Sequence, residues 1–163
     1  MYLCIRILSL AVLACIPLFA QAPNPAKADQ ATIVDFAQKA AVGAVNFRQG
    51  NAASLTHARP DFTPDGWKDF MKHMEGFLDD KGAPTFSSTF VPSGNATLLS
   101  EKDGIVHFRI PGTLTQSSNL GKTTYRAAIE VYTLRDLLIH GGKAIKIQHL
   151  EQITCGGVST ACQ

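Results

Sequence analysis

The sequence predicts a single α+β domain, with two helices followed by a run of antiparallel strands, and a change of apolar period along the chain predicts it. Between residues 31 and 81 apolar residues recur at three- and four-residue spacing, the period of a helix face. After Pro84 they alternate, and clusters of Gly, Asn, Asp and Ser interrupt the alternation at short intervals. A chain of 163 residues, 45% hydrophobic and 17% charged, has the length and apolar content for one core. Short turns between successive strands imply an antiparallel sheet of about four or five strands, with the helices layered on it.

The first helix is expected over 31–49. Ile33, Phe36, Ala37, Ala40, Ala44 and Phe47 form its apolar stripe, and the alanines make it slim enough to lie close against a sheet. Gly50 and Asn51 end it. The second helix begins at Thr63, Pro64 and Asp65. Thr63 can cap the free amide groups, Pro64 loses nothing at the first helical position, and Asp65 meets the positive helix end. Its stripe is heavier, with Trp67, Phe70, Met71, Met74, Phe77 and Leu78 ahead of a stop at Lys81 and Gly82. Trp67, Phe70, Met71 and Met74 read as core packing, or as a partner surface where the sheet leaves them uncovered. Strands are expected over 85–91, 96–100, 105–115, 122–134 and 143–154.

Residues 1–28 read as a signal peptide. Arg6 precedes an apolar run from Ile7 to Phe19, too short to span a bilayer comfortably, and small residues follow it. Ala26-Lys27-Ala28 supplies the small residues that signal peptidase requires, placing the cut before Asp29. Ala20-Gln21-Ala22 is disfavoured by the proline after it. Two other outcomes compete with cleavage: lipid modification at Cys15, whose context loosely resembles a lipobox, and an uncleaved anchor. Membrane attachment is expected only in those two cases. Residues 29–163 then form the exported domain, periplasmic or secreted. Loss of Arg6 and Lys27 turns fifteen basic residues into thirteen, against thirteen acidic ones. A near-neutral domain without a basic run excludes nucleic acid as an expected partner.

Cys4 and Cys15 fall in the leader, leaving Cys155 and Cys162. An even pair in an exported chain reads as a disulfide, here closing a short loop over 155–162 that contains two glycines.

Chemistry is sparse. On the last strand His149 and Glu151 are expected to share the inward face with Ile145, Ile147 and Ile153. On the preceding strand Tyr125 shares a face with Ala127, Ile129, Val131 and Thr133. Tyr125, His149 and Glu151 are therefore candidate pocket residues, and His149 with Glu151 a candidate acid–base pair. The simpler alternative is that the strand leaves the core near Cys155, or that a bulge turns the two outward. His107 and Arg109 alternate with Val106, Phe108 and Ile110 and are expected in solvent. His57, His73 and His140 show no zinc-motif spacing, and no Gly-x-Ser-x-Gly elbow occurs. No catalytic residue, metal or cofactor is assigned.

The order of elements resembles the cystatin-like, or nuclear transport factor 2-like, cone. Within it, Phe62-Thr63-Pro64-Asp65-Gly66-Trp67-Lys68-Asp69-Phe70 resembles the Phe-Thr-x-x-Gly-Trp-x-x-Phe signature of the DotI/IcmL family of type IV secretion components. The helix ending in Ala44-Val45-Asn46-Phe47 and the strand Ala144-Ile145-Lys146-Ile147-Gln148-His149 are similar to elements of that family. The resemblance implies a non-enzymatic periplasmic module that binds envelope or secretion-system proteins, or a second copy of itself. It departs from the family in its cleavable leader and its terminal cysteine loop. The cone also hosts SnoaL-like and ketosteroid-isomerase-like proteins, so a small-molecule-binding or enzymatic cone with a polar pocket is the alternative.

Overall fold

The structure is a computed structural model that describes residues 30–134 and 145–155. The expected leader, the residues after Cys155 and the turn at 140–142 lie outside that range. Three helices pack against a five-stranded antiparallel sheet. Helix α1 spans Gln30–Val45, α2 Ala52–Thr56 and α3 Pro64–Met74, with 3-10 turns at Arg59–Asp61 and Glu75–Phe77. The strands are β1 Ser87–Pro92, β2 Thr97–Lys102, β3 Ile105–Ser118, β4 Gly121–Leu134 and β5 Lys146–Thr154. Among the described residues no helix is long and apolar enough to cross a membrane.

Helix α1 stops at Val45, so Phe47 leaves the helix and bridges Ser88 of β1 through two backbone hydrogen bonds. The short helix α2, capped by Asn51, falls between the two expected helices and adds a third to them. α3 is shorter than its apolar stripe suggests because its last turn tightens into a 3-10 turn.

Strands β3 and β4 form a long hairpin around Asn119 and Leu120, with Ser118 paired to Gly121. β1 and β2 lie in line along the far edge of β3, and β5 lies beyond β4. One face of the sheet is apolar. Val106, Phe108, Ile110 and Leu114 of β3 sit beside Ala127, Ile129 and Val131 of β4, all fully buried. The small side chains Ala37, Ala40, Ala41 and Ala44 let α1 settle onto this face. Burying each larger side chain contributes roughly 1.5–3 kcal/mol.

The edge of β5 is where helix and sheet join. Thr63 caps α3 by accepting from the Gly66 amide at 3.0 Å, and its own amide donates to the Ile147 carbonyl at 2.8 Å. Phe62 forms a parallel bridge with Ile147. Its ring packs against Trp67 and Phe70, with centroids 5.6 and 5.3 Å away. Gly66 lies directly on the strand: an added Cβ would sit 2.6 Å from the Gln148 carbonyl oxygen and 2.7 Å from that of Ile147. The signature residues Phe62, Thr63, Gly66, Trp67 and Phe70 thus fasten α3 to β5, and Gly66 is required there for lack of a side chain.

Gly66→Ala is expected to destabilise the domain by about 1–3 kcal/mol through overpacking against β5. Gly76→Ala, where an added methyl meets nothing within 4 Å, stays within about 0.5 kcal/mol. Urea denaturation of the two variants checks this. Equal midpoints would refute the role given to Gly66.

Candidate functional site

A β-bulge beside that junction decides which way the polar residues of β5 point. Tyr132 pairs with His149 but Thr133 pairs with Ile147, so Gln148 is the extra residue. Before the bulge Ile145 and Ile147 face the core; after it Leu150 does. His149 and Glu151 pair with Tyr132 and Glu130, and Ile153 with Ala128, on the opposite, outer face. The expectation that His149 and Glu151 share the inward face of Ile145 and Ile147 is corrected accordingly, because one inserted residue inverts the alternation.

The outer face carries a polar cluster. Glu130, only 6% exposed, accepts hydrogen bonds from Arg109 Nε at 2.9 Å and from Arg109 Nη2. His107 Nε2 donates to its other oxygen at 2.8 Å. The expectation that His107 and Arg109 stand in solvent is corrected: both are half-buried around this carboxylate. Burial opposes the charge on Glu130, yet the bonds from Arg109 and His107 and their positive charge outweigh it, holding the carboxyl below its ordinary range. The His107 ring stacks on Tyr132, with centroids 3.9 Å apart and planes 12° from parallel. Burial, followed by the charges of Glu130 and Glu151, raises the Tyr132 phenol above its usual range and keeps it neutral.

Beyond Tyr132 the cluster reaches α3. His149 Nδ1 donates to Asp69 Oδ2 at 2.7 Å, and His73 Nδ1 donates to the Asp69 carbonyl at 2.8 Å. α3 straddles the β5 edge, with Phe70 and Met74 in the core and Asp69 and His73 on the side of His149. Among the described residues no three His, Cys, Asp or Glu side chains form a metal-binding group.

Helix and strand touch at Gly66, and farther along, between α3, the turn at Glu75–Phe77 and the later residues of β5, lies a cavity of about 510 Å³. Phe47, Phe70, Met74, Phe77, Phe86 and Leu150 supply its apolar wall, and His73, His149, Glu151 and Gln152 its polar margin. The candidate pocket residues divide. His149 and Glu151 line the cavity, whereas Tyr125 does not and instead accepts a hydrogen bond from Gln152 Nε2 at 3.3 Å. Of the aromatic and methionine stripe, Phe70 and Met74 are buried, and Trp67 and Met71 pack half-buried against the core. Cys155 directly follows β5, its amide bonded to the Arg126 carbonyl; Cys162 lies outside the described residues.

This arrangement defines the class: a cone of helices on a curved antiparallel sheet, as in the cystatin-like fold. No protein-family model matches the sequence, and neither does any curated protein. Solved structures do share the fold. An IcmL-like type IV secretion system protein of Legionella pneumophila superposes with a TM-score of 0.64 at 11% identity, over 83% of this chain and 99% of that one. The periplasmic domain of DotI gives 0.63 at 16% identity, over 79% and 98%. CagV, a VirB8 homologue from the type IV secretion system of Helicobacter pylori strain 26695, gives 0.51 at 12%, over 77% and 99%. The resemblance seen in the Phe62–Phe70 segment therefore extends to the fold of most of the chain.

The depressed Glu130 carboxyl makes a prediction with a sign. Its contribution to stability is full above the ordinary carboxylate range and is lost as the pH falls through its lower folded value. Glu130→Gln should cost about 1–3 kcal/mol at neutral pH, the scale of charged hydrogen bonds. The gap from wild type should close as the solution is acidified. Denaturation at a series of pH values measures it, and a gap independent of pH would refute the charge assignment.

Proposed function

We propose that this chain is an exported, non-enzymatic protein-interaction module of the bacterial envelope, related to type IV secretion components. The observation that carries the reading is the fold shared with the DotI periplasmic domain over 79% of the chain. It is joined by the residues that resemble the DotI/IcmL signature, which in this chain fasten α3 to β5. His107 and His149 are each held by a carboxylate, Glu130 and Asp69 respectively, and take part in the packing of β3, β4, β5 and α3. Envelope proteins, or a second copy of the chain, are the partners this reading implies. Light scattering on the mature domain, with capture from an envelope extract, tests it. Self-association or a specific captured envelope protein is expected. A strict monomer that captures nothing would count decisively against the module.

Export carries its own expectation. We infer that cleavage before Asp29 releases the domain into an oxidising compartment, where Cys155 and Cys162 join. Intact mass of the protein purified from periplasm should begin at Asp29, and thiol alkylation should label neither cysteine until a reductant is added. Labelling without reductant would eliminate the disulfide, and a retained leader would eliminate cleavage.

A further inference from the structure

Four consecutive residues of β5, His149 to Gln152, line the same cavity although their side chains alternate between the two faces of the sheet. A cavity can meet both faces of a strand at once only along its edge. The strand's inner side bonds to β4. On its outer side the chain bonds its own backbone to the edge as far as Ile147, through Phe62 and Thr63, and Asp69 and His73 of α3 stand beside His149. Among the described residues no backbone group bonds to the outer edge over 149–152. An uncovered strand edge presents unpaired amide and carbonyl groups that pair readily with another extended chain.

We propose that this edge is a docking site for an extended peptide of a partner protein, added to β5 as a further strand beyond the point where Phe62 and Thr63 stop. The two walls of the cavity specify its chemistry. Toward the cone interior, Phe70, Met74, Phe77 and Leu150 form an apolar pocket, with Ser88, Gln116 and Gln152 also in its lining. Toward the outer face stands Glu151, exposed and across from Glu130, whose charge Arg109 and His107 already engage. A strand places alternate side chains on opposite faces. The fitting peptide therefore alternates apolar residues, facing the pocket, with basic residues, facing Glu151. Main-chain bonds supply affinity and the side-chain pocket supplies selectivity, as in other strand additions. The inference rests on the interaction-module reading and assigns that module a site.

The probe is a blocked hexapeptide, acetyl-Lys-Phe-Lys-Val-Lys-Val-amide, titrated into the isotope-labelled mature domain and followed by amide NMR shifts. Saturable shifts at 149–152 and along α3 are expected. Methylating alternate peptide nitrogens should weaken binding roughly tenfold, since it removes main-chain donors. Glu151→Lys should weaken it as well, and should favour the counterpart peptide with Glu in place of Lys. Phe77→Ser, at a side chain already 50% exposed, should lower affinity without unfolding the domain. Undiminished binding of the methylated peptide, or shifts elsewhere, would overturn the strand addition. If the edge signals are instead broadened by self-association that dilution reverses, the occupant is a second copy and the partner-peptide proposal fails. Envelope proteins captured equally by wild type and Phe77→Ser would leave the module standing and remove only this site. Capture of nothing by either would remove both.

Discussion

The contact between Gly66 and the bulged residue Gln148 is the constraint on which the rest of the structure depends. A helix lies against a strand's carbonyl edge only where it carries no side chain, and Gly66 supplies that position one turn into α3. The approach brings Phe62, Trp67 and Phe70 into one aromatic cluster. It also covers the β5 edge as far as Ile147 and carries Asp69 to within a hydrogen bond of His149. The bulge across from Gly66 sets the alternation of everything after it on β5. Leu150 therefore enters the core while His149 and Glu151 join the outer cluster.

The outer face shows how a sheet can hold charge without a pocket. Glu130 is buried on the outer face of the sheet, where an unpaired carboxylate would be costly. Arg109 and His107 reach it from the neighbouring strand, and Tyr132 closes over His107. Such a cluster ties β3 to β4 beyond their backbone ladder and, through Tyr132, His149 and Asp69, meets α3. Its groups hold one another in place, which suits a rigid scaffold. Among the described residues, the outer β5 edge beyond Ile147 has no backbone partner, and an apolar wall lies beside it.

Much of this was legible in the residues. The helical period of Ile33, Ala37, Ala40 and Ala44 marks the buried face of α1. Thr63, Pro64 and Asp65 mark the start of α3, and the alternation of Val106, Phe108 and Ile110 marks the core face of β3. Even the Arg109–Glu130 pair had a signal. A two-residue turn at Asn119 and Leu120 places those residues opposite one another, and a lone glutamate inside an apolar run calls for a partner. The expectation of solvent exposure for His107 and Arg109 failed because it considered one strand without its neighbour.

By itself the sequence determined the α+β class, helices ahead of an antiparallel run of strands, and the core faces of α1, β3 and β4, and it carries a segment resembling the signature of DotI/IcmL-like domains, whose solved structures share the fold. These depend on local period and turn chemistry, which a chain carries in its own residues. Only the tertiary structure decided where β5 slips by one residue, which face His149 and Glu151 take, and how far along β5 the chain covers its outer edge. A bulge has no dependable local code, because it is fixed by what packs against it. Here that is Gly66, some eighty residues earlier in the chain, pressed against the carbonyls of Ile147 and Gln148.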